Sequence, residues 1–341
     1  MSMLDLAALN DLVEEEAALD ARVIHLAANE TVLSPFAQRV LGLPLGHRYL
    51  LEHLDMREDS PSRLGNVLVR GLDRVNAIER SATEACRELF GASYVEFRCL
   101  SGLHALQTTI AALTKPGDAV MRVATKDGGH PATEEVCRLF GRESHAFAFD
   151  RRTQTLDRER TRDLIQALRP RLLYVDAINW TLPFPLAELR ALAGDALIVF
   201  DASATLGLIA GGQYQDPLRE GADLIVGNTH TTFFGPQKGL ILGNDRESME
   251  RVNYWTSTAM VSSQHTAETL ALLIAIHEAR DDGRTYAARV VSNARHLAEA
   301  LHRRGLPLLF AADGFTRNHM LFIDTRDLAI QNLASEIQAW K

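Results

Sequence analysis

The stretch Val226-Gly-Asn-Thr229-His230-Thr231-Thr232-Phe-Phe-Gly235-Pro236-Gln-Lys238-Gly-Leu-Ile-Leu242 decides how the chain is read. Two apolar runs, 224–228 and 240–242, flank a polar segment punctuated by Gly235 and Pro236. The pattern predicts strand, tight turn, Gly-Pro loop, strand. Polar groups crowd the end of the first strand, and strand ends are where open α/β sheets bind their ligands.

Upstream the same logic repeats. Strands are expected at 94–97, 119–123, 145–149, 172–177 and 196–202, alternating with helices at 103–113, around 134–140, at 157–168 and at 186–193. This alternation predicts an α/β fold with a mainly parallel sheet covered on both faces. Before it, Val75, Ile78, Ala82, Cys86 and Leu89 recur at intervals of three and four, which predicts an amphipathic helix over 72–90, ended by Gly91. Residues 4–18 have helical spacing and a negative polar face, and are expected to pack on a partner subunit or on the body. Segment 41–70, rich in Gly, Pro, Asp and Arg, reads as an irregular arm. After 245 the character changes: 252–263 is polar and irregular, and helices follow at 266–279 and 286–303. The chain therefore divides into 1–70 (helix and arm), 71–250 (large α/β domain) and 251–341 (connecting helices and the start of a small domain).

Composition bounds the function. With 341 residues, 46% of them hydrophobic, the chain can bury a large core. Lys+Arg 36 against Asp+Glu 44 leaves a formal charge of −8, which gives no reason to expect nucleic acid or an anionic membrane as partner. Cys86, Cys99 and Cys137 are odd in number and irregularly spaced, as free thiols of a reducing compartment are, rather than a disulfide frame or metal site. No apolar run reaches a membrane span, and the acidic N-terminus lacks the form of a signal peptide. A cytoplasmic location is expected.

Three further features carry chemistry. Ser101-Gly102, between a strand and an apolar helix, is a phosphate-binding arrangement: glycine lets the backbone approach, and the free amides of a helix start favour an anion. Any strand-to-helix turn can carry the same pair. Asp201 ends the apolar run Ala-Leu-Ile-Val-Phe, where an aspartate either caps a turn or faces a ligand. His130 follows Gly128-Gly129, and a lone histidine is more often structural than functional.

Taken together, Thr229, His230, Thr232, Gly235 and Pro236 resemble the lysine loop of fold-type I pyridoxal-phosphate (PLP) enzymes, in the version of serine hydroxymethyltransferases and related aldolases. Their pattern is Thr-His-Lys-Thr, two residues, then Gly-Pro; at the lysine position stands Thr231. His25-Leu-Ala-Ala-Asn-Glu-Thr31 with Ser34-Pro35 resembles the family's opening segment, and 315–324 resembles the first strand of its small C-terminal domain. The resemblance spans roughly residues 21–325. It implies a mostly parallel seven-stranded sheet flanked by helices, with an α+β C-terminal domain that is incomplete at Lys341 and lacks the arginine that grips the substrate carboxylate.

The resemblance also implies roles. Asp201 pairs with the pyridine nitrogen, His130 stacks on the ring, and Ser101 and Gly102 hold the phosphate. Asn179 stands beside Ile178, where the family has a serine near the phenolic oxygen. His230 belongs to the cofactor loop. Ser262 and Ser263 reach the partner subunit's phosphate, and Tyr49 and Glu52 the partner's active site, although a surface Tyr and Glu read the same way. Lys238 either replaces the missing amine or touches the phosphate. The implied cofactor is PLP, held non-covalently or, through a free amino acid, as an external aldimine. The implied function is an impaired enzyme that makes or cleaves the Cα–Cβ bond of small β-hydroxy amino acids, working as a dimer. Two alternatives stay open: a non-catalytic subunit paired with a lysine-bearing paralogue, and a decayed remnant.

Overall fold

The computed structural model describes residues 5–48, 63–64, 67–68, 73–150, 153–262 and 264–326. Its helices are α1 (Leu6–Asp20), α2 (Pro35–Leu41), α3 (Asp73–Phe90), α4 (Gly102–Leu113), α5 (Pro131–Leu139), α6 (Arg158–Leu168), α7 (Leu186–Leu192), α8 (Leu206–Ala210), α9 (Arg246–Trp255) and α10 (Thr266–Arg303). The main sheet holds β1 (Tyr94–Glu96), β2 (Ala119–Arg122), β3 (Glu143–Ala146), β4 (Leu172–Val175), β5 (Leu197–Asp201), β6 (Leu224–Asn228) and β7 (Gly239–Gly243). Their order across the sheet is β1-β7-β6-β5-β4-β2-β3. Only β7 runs against its neighbours; the pairs β5/β6, β4/β5, β2/β4 and β2/β3 are parallel.

The central strands are buried on both sides, as continuous apolar runs such as Leu-Leu-Tyr-Val in β4 require. Alternate residues go to opposite faces. Leu172, Tyr174, Val199, Leu224 and Val226 pack under α4, α5 and α9. Leu173, Val175, Ile198, Phe200 and Ile225 pack against α3, α6, α7 and α10. Asp201 and Asn228 continue the first parity at the strand ends, on the face where α4 begins. Short polar side chains start the helices: Ser34, Ser101, Asp157 and Asp245 each accept a backbone N–H of the first turn.

Four expectations are corrected. Segment 252–260 is helical where an irregular stretch was expected: α9, capped by Asp245 and anchored by Met249 and Val252, runs into a wider turn over Thr256–Met260. The two helices after 265 are one 38-residue helix, α10. Gly283 does not break it, and the close approach there rests on Gly211, where an added Cβ would lie 2.5 Å from the Gly283 oxygen and from Ala287 Cβ. Segment 315–324 makes a single bridge, Leu308 to Ile323, instead of a strand. The strand expected at 145–149 is split into β3 and a two-residue hairpin strand, Phe149–Asp150.

Helix α1 buries none of its residues on the body, and Leu6 is 85% exposed. The packing on the body expected as one of its two sites is not seen among the described residues. Most of the 41–70 arm, with Tyr49 and Glu52, lies outside the described residues, as does Ser263. Cys86, Cys99 and Cys137 are buried free thiols. No helix among the described residues is long and apolar enough to cross a membrane.

Candidate active site

A cavity of about 540 Å³ opens at the C-terminal ends of the strands. Ser101, Gly102, His130, Asn179, Asp201, His230 and Thr231 all line it, although they come from separate loops. Each is held there by local structure.

The 229–235 loop closes on itself. Thr229 N donates to the Lys238 oxygen at 3.1 Å, the Thr229 hydroxyl donates to the Pro236 carbonyl, and Gly235 N donates to the Thr229 oxygen at 2.8 Å. Thr232 ties the loop to the strand-end turn of β5 by accepting from Gly207 N and donating to the Ala204 oxygen, both at 3.1 Å. His230 and Thr231 are left facing the cavity. His230 Nδ1 is buried without a partner, and burial lowers its pKa.

His130 caps α5, its Nδ1 accepting from Ala132 N at 3.1 Å. The proton of the neutral ring therefore sits on Nε2. The preceding turn requires glycine. Gly128 has φ +98°, and a Cβ on Gly129 would fall 2.1 Å from the Val123 oxygen. Gly129→Ala is expected to destabilise the fold by about 2 kcal/mol, as overpacking of a close contact does, readable as a lower midpoint in thermal melting.

Ser101 Oγ accepts from His104 N at 3.1 Å, which satisfies one amide of the α4 start. The amides of Gly102 and Leu103, residues that line the cavity, are left for a ligand. Asp201 accepts from Ser203 N at 2.9 Å on Oδ1 and from the Tyr174 hydroxyl at 2.8 Å on Oδ2. Burial pushes its carboxyl above the ordinary range in spite of these bonds.

A second carboxyl lies deeper. Asp176 is fully buried; its Oδ1 accepts from Val123 N at 2.9 Å, and the Thr133 hydroxyl faces its carboxyl. Burial raises it from 3.8 to about 7. The folded state thus keeps a proton that the unfolded chain has already lost, so this group's contribution to stability is present at low pH and falls as pH rises from about 4 to 7. The loss is on the order of 4 kcal/mol at most. Urea unfolding of the wild type and Asp176→Asn across that window checks it: the difference between the two curves slopes, and the variant's own dependence there is flatter.

The cavity also contains residues not singled out as site candidates: Ser203, and Asn29, His319 and Met320 from the two segments that resemble the family's opening and its small-domain strand. His319 Nε2 donates to the Ala28 oxygen at 2.7 Å, Nδ1 is buried and unpaired, and burial lowers the ring to about 4. Its Arg-Asn-His context, some 90 residues from the lysine-like loop, gave no local signal. Other expected contacts lie elsewhere. Ser262 is exposed and does not line this cavity. Lys238 is fully buried and donates to the Gln264 oxygen at 2.8 Å, so its amine is directed away from the lining; burial lowers it to about 8.

A family profile for serine hydroxymethyltransferase matches residues 2–339. The chain belongs to the serine hydroxymethyltransferase family. It is 67% identical over 325 residues to a fluorothreonine transaldolase of Streptantibioticus cattleyicolor, covering 95% of this chain and 51% of that protein. It is 33% identical over 324 residues to a serine hydroxymethyltransferase of Methanocella arvoryzae, covering 94% and 74%. Among solved structures, an L-threonine transaldolase from Pseudomonas fluorescens superposes with a TM-score of 0.88 at 28% identity, over 96% of this chain and 74% of that one. The chain thus spans about half the length of the first relative and about three quarters of the others.

Serine hydroxymethyltransferases and transaldolases of this kind depend on PLP. The cavity fits such a group. A desolvated carboxylate on its floor suits a cationic ring nitrogen, free helix-start amides suit a phosphate, and Gly102 leaves a cradle that a Cβ would fill, 3.0 Å from Ser203 Oγ and 3.1 Å from Asn228 Cβ.

Proposed function

We propose that the cavity binds PLP together with a small β-hydroxy amino acid, and that it serves the making or breaking of that amino acid's Cα–Cβ bond. The observation that carries this reading is the convergence of Ser101–Gly102, His130, Asp201 and Thr231 on one cavity. The identity with a fluorothreonine transaldolase supports an aldehyde-exchanging reaction over folate-dependent transfer.

In this reading Asp201 holds the ring nitrogen, the His130 imidazole lies on the ring face, Asn179 stands by the phenolic oxygen, and the Gly102 and Leu103 amides hold the phosphate. When bound, the cofactor supplies an electron sink for charge developing at Cα. His230, whose Nδ1 is unpaired in the cavity wall, accepts the proton of the substrate hydroxyl, while His319 stays neutral and accepts a hydrogen bond on Nδ1. Ser262, Ser263 and Glu52 act across a dimer interface. Thr231 stands where the family has its lysine. It brings no amine, so the cofactor is held without a covalent bond to the chain and turnover is impaired.

An absorbance titration with PLP, with and without glycine, serine or threonine, tests the reading. A saturable change that the amino acid alters supports it; a spectrum of free PLP throughout overturns it.

One observation favours a second reading, a non-catalytic subunit. The cavity keeps its cofactor-holding groups while position 231 lacks the amine, and the apolar residues of α1 are uncovered. A dimer with a lysine-bearing paralogue would cover that helix and be completed in trans. Light scattering at micromolar concentration discriminates: the chain alone is expected at twice 37.7 kDa if it pairs with itself, and as a monomer that shifts only on adding the paralogue if it does not.

A further inference from the structure

We propose that Tyr174 is a positioning residue for the ring-facing carboxylate, fixing Asp201 so that one lone pair is directed at the cofactor's ring nitrogen. This inference rests on the reading of Asp201 as the ring-nitrogen partner.

The geometry begins with strand register. β4 and β5 are parallel, with Tyr174 opposite Val199, so Tyr174 and Asp201 lie on the same face of neighbouring strands. Tyr174 is fully buried among the apolar residues under α4 and α5, and its hydroxyl donates to Asp201 Oδ2 at 2.8 Å. Asp201 is the acceptor that this buried phenol reaches among the described residues. Burial and the adjacent carboxylate hold its proton well beyond the ordinary phenol range, so it acts as a fixed donor.

Asp201 needs such a donor. Of its near neighbours, Ser203 bonds Oδ1 through its backbone amide and also bears on the carboxylate through its hydroxyl, and Ala204, which also lines the cavity, offers only a methyl group. Tyr174 supplies the bond that holds Oδ2. With it, both oxygens are bonded on the protein side, the carboxylate plane is set, and a lone pair remains for a ring N–H.

The surroundings leave Asp201 as the principal charge. Asp176, two residues beyond Tyr174, is largely protonated below about 7. Cys137 on α5 is a buried thiol held up at about 11, and Arg122 on β2 is already paired with Glu134. His130 faces Asp201 from the α5 start. Ionisation of Asp176 adds a second negative charge near the same ring nitrogen, which gives the site a pH signature of its own.

The test uses PLP labelled with 15N at the ring, bound to the full chain. The affinity and the pH at which the ring nitrogen loses its proton are read by NMR. Tyr174→Phe keeps the ring's packing. It is expected to weaken PLP about tenfold, in the range of one hydrogen bond to a charged group, and to lower the deprotonation midpoint by about one unit. Asp176→Asn is expected to keep the affinity below pH 6 and to remove the second inflection near pH 7. A Tyr174→Phe variant that melts earlier but shows the wild-type affinity and midpoint has lost packing alone, and overturns the proposal. Asp201→Asn separates the two levels. If that change leaves the labelled nitrogen unmoved, the reading of the ring site is wrong and Tyr174 falls with it. If Asp201→Asn moves it and Tyr174→Phe does not, only the Tyr174 role is wrong.

Discussion

Asp201→Ala is expected to weaken PLP binding by roughly 10- to 100-fold, the equivalent of losing one hydrogen bond between charged groups, about 1.5–3 kcal/mol. The carboxylate ends β5 at the cavity floor, and its hydrogen-bond donors, Ser203 and the Tyr174 hydroxyl, are neutral. Burial raises its pKa in spite of these bonds and of the facing His130, so a cation bound against it adds compensation that the neutral donors do not supply. A protonated pyridine supplies the cation. In the fold two effects oppose each other: the substitution removes a desolvated charge, and it leaves the buried Tyr174 hydroxyl and Ser203 N without their acceptor. Fluorescence titration with PLP measures the affinity, and thermal melting the fold. Undiminished binding by Asp201→Ala would place the ring elsewhere.

Thr231→Lys is expected to change the chain from one that carries no covalent PLP to one that carries a full equivalent. Position 231 lies in the cavity wall, 7% exposed, on a loop closed by its own hydrogen bonds. A lysine grafted there extends into the cavity on a fixed base, and desolvation favours its neutral, nucleophilic form. The variant should be yellow, and borohydride should fix the cofactor to the peptide containing residue 231. A variant that remains colourless and unlabelled at saturating PLP would show that 231 is not the site's centre.

The sheet was legible because its strands are short apolar runs between turn residues, and because the Gly-Pro loop after Thr231 joins β6 to the antiparallel strand β7. The strand-end site followed from the same pattern. What the sequence concealed depends on contacts between distant residues. The stretch between 279 and 286 reads as a helix break, yet α10 continues through it and Gly211, which has no room for a Cβ, packs against its backbone at Gly283. Tyr174 reads as core, since only strand register shows its hydroxyl beneath Asp201. His319 and Asn29 join the cavity from the two ends of the described chain, pinned by the bond between His319 and Ala28. Lys238 sits eight residues from His230 and read as an available amine; its commitment to Gln264 is visible only in three dimensions.

Borohydride treatment of the unmodified chain at saturating PLP, followed by peptide mapping, tests the central claim most directly. The claim is a PLP site centred on residue 231 that holds its cofactor without a covalent bond. The predicted result is one PLP bound per chain before treatment and no labelled peptide after it. A stoichiometric label on the peptide containing Lys238, or on any other lysine, would contradict the claim, because another amine would then be the centre of the site.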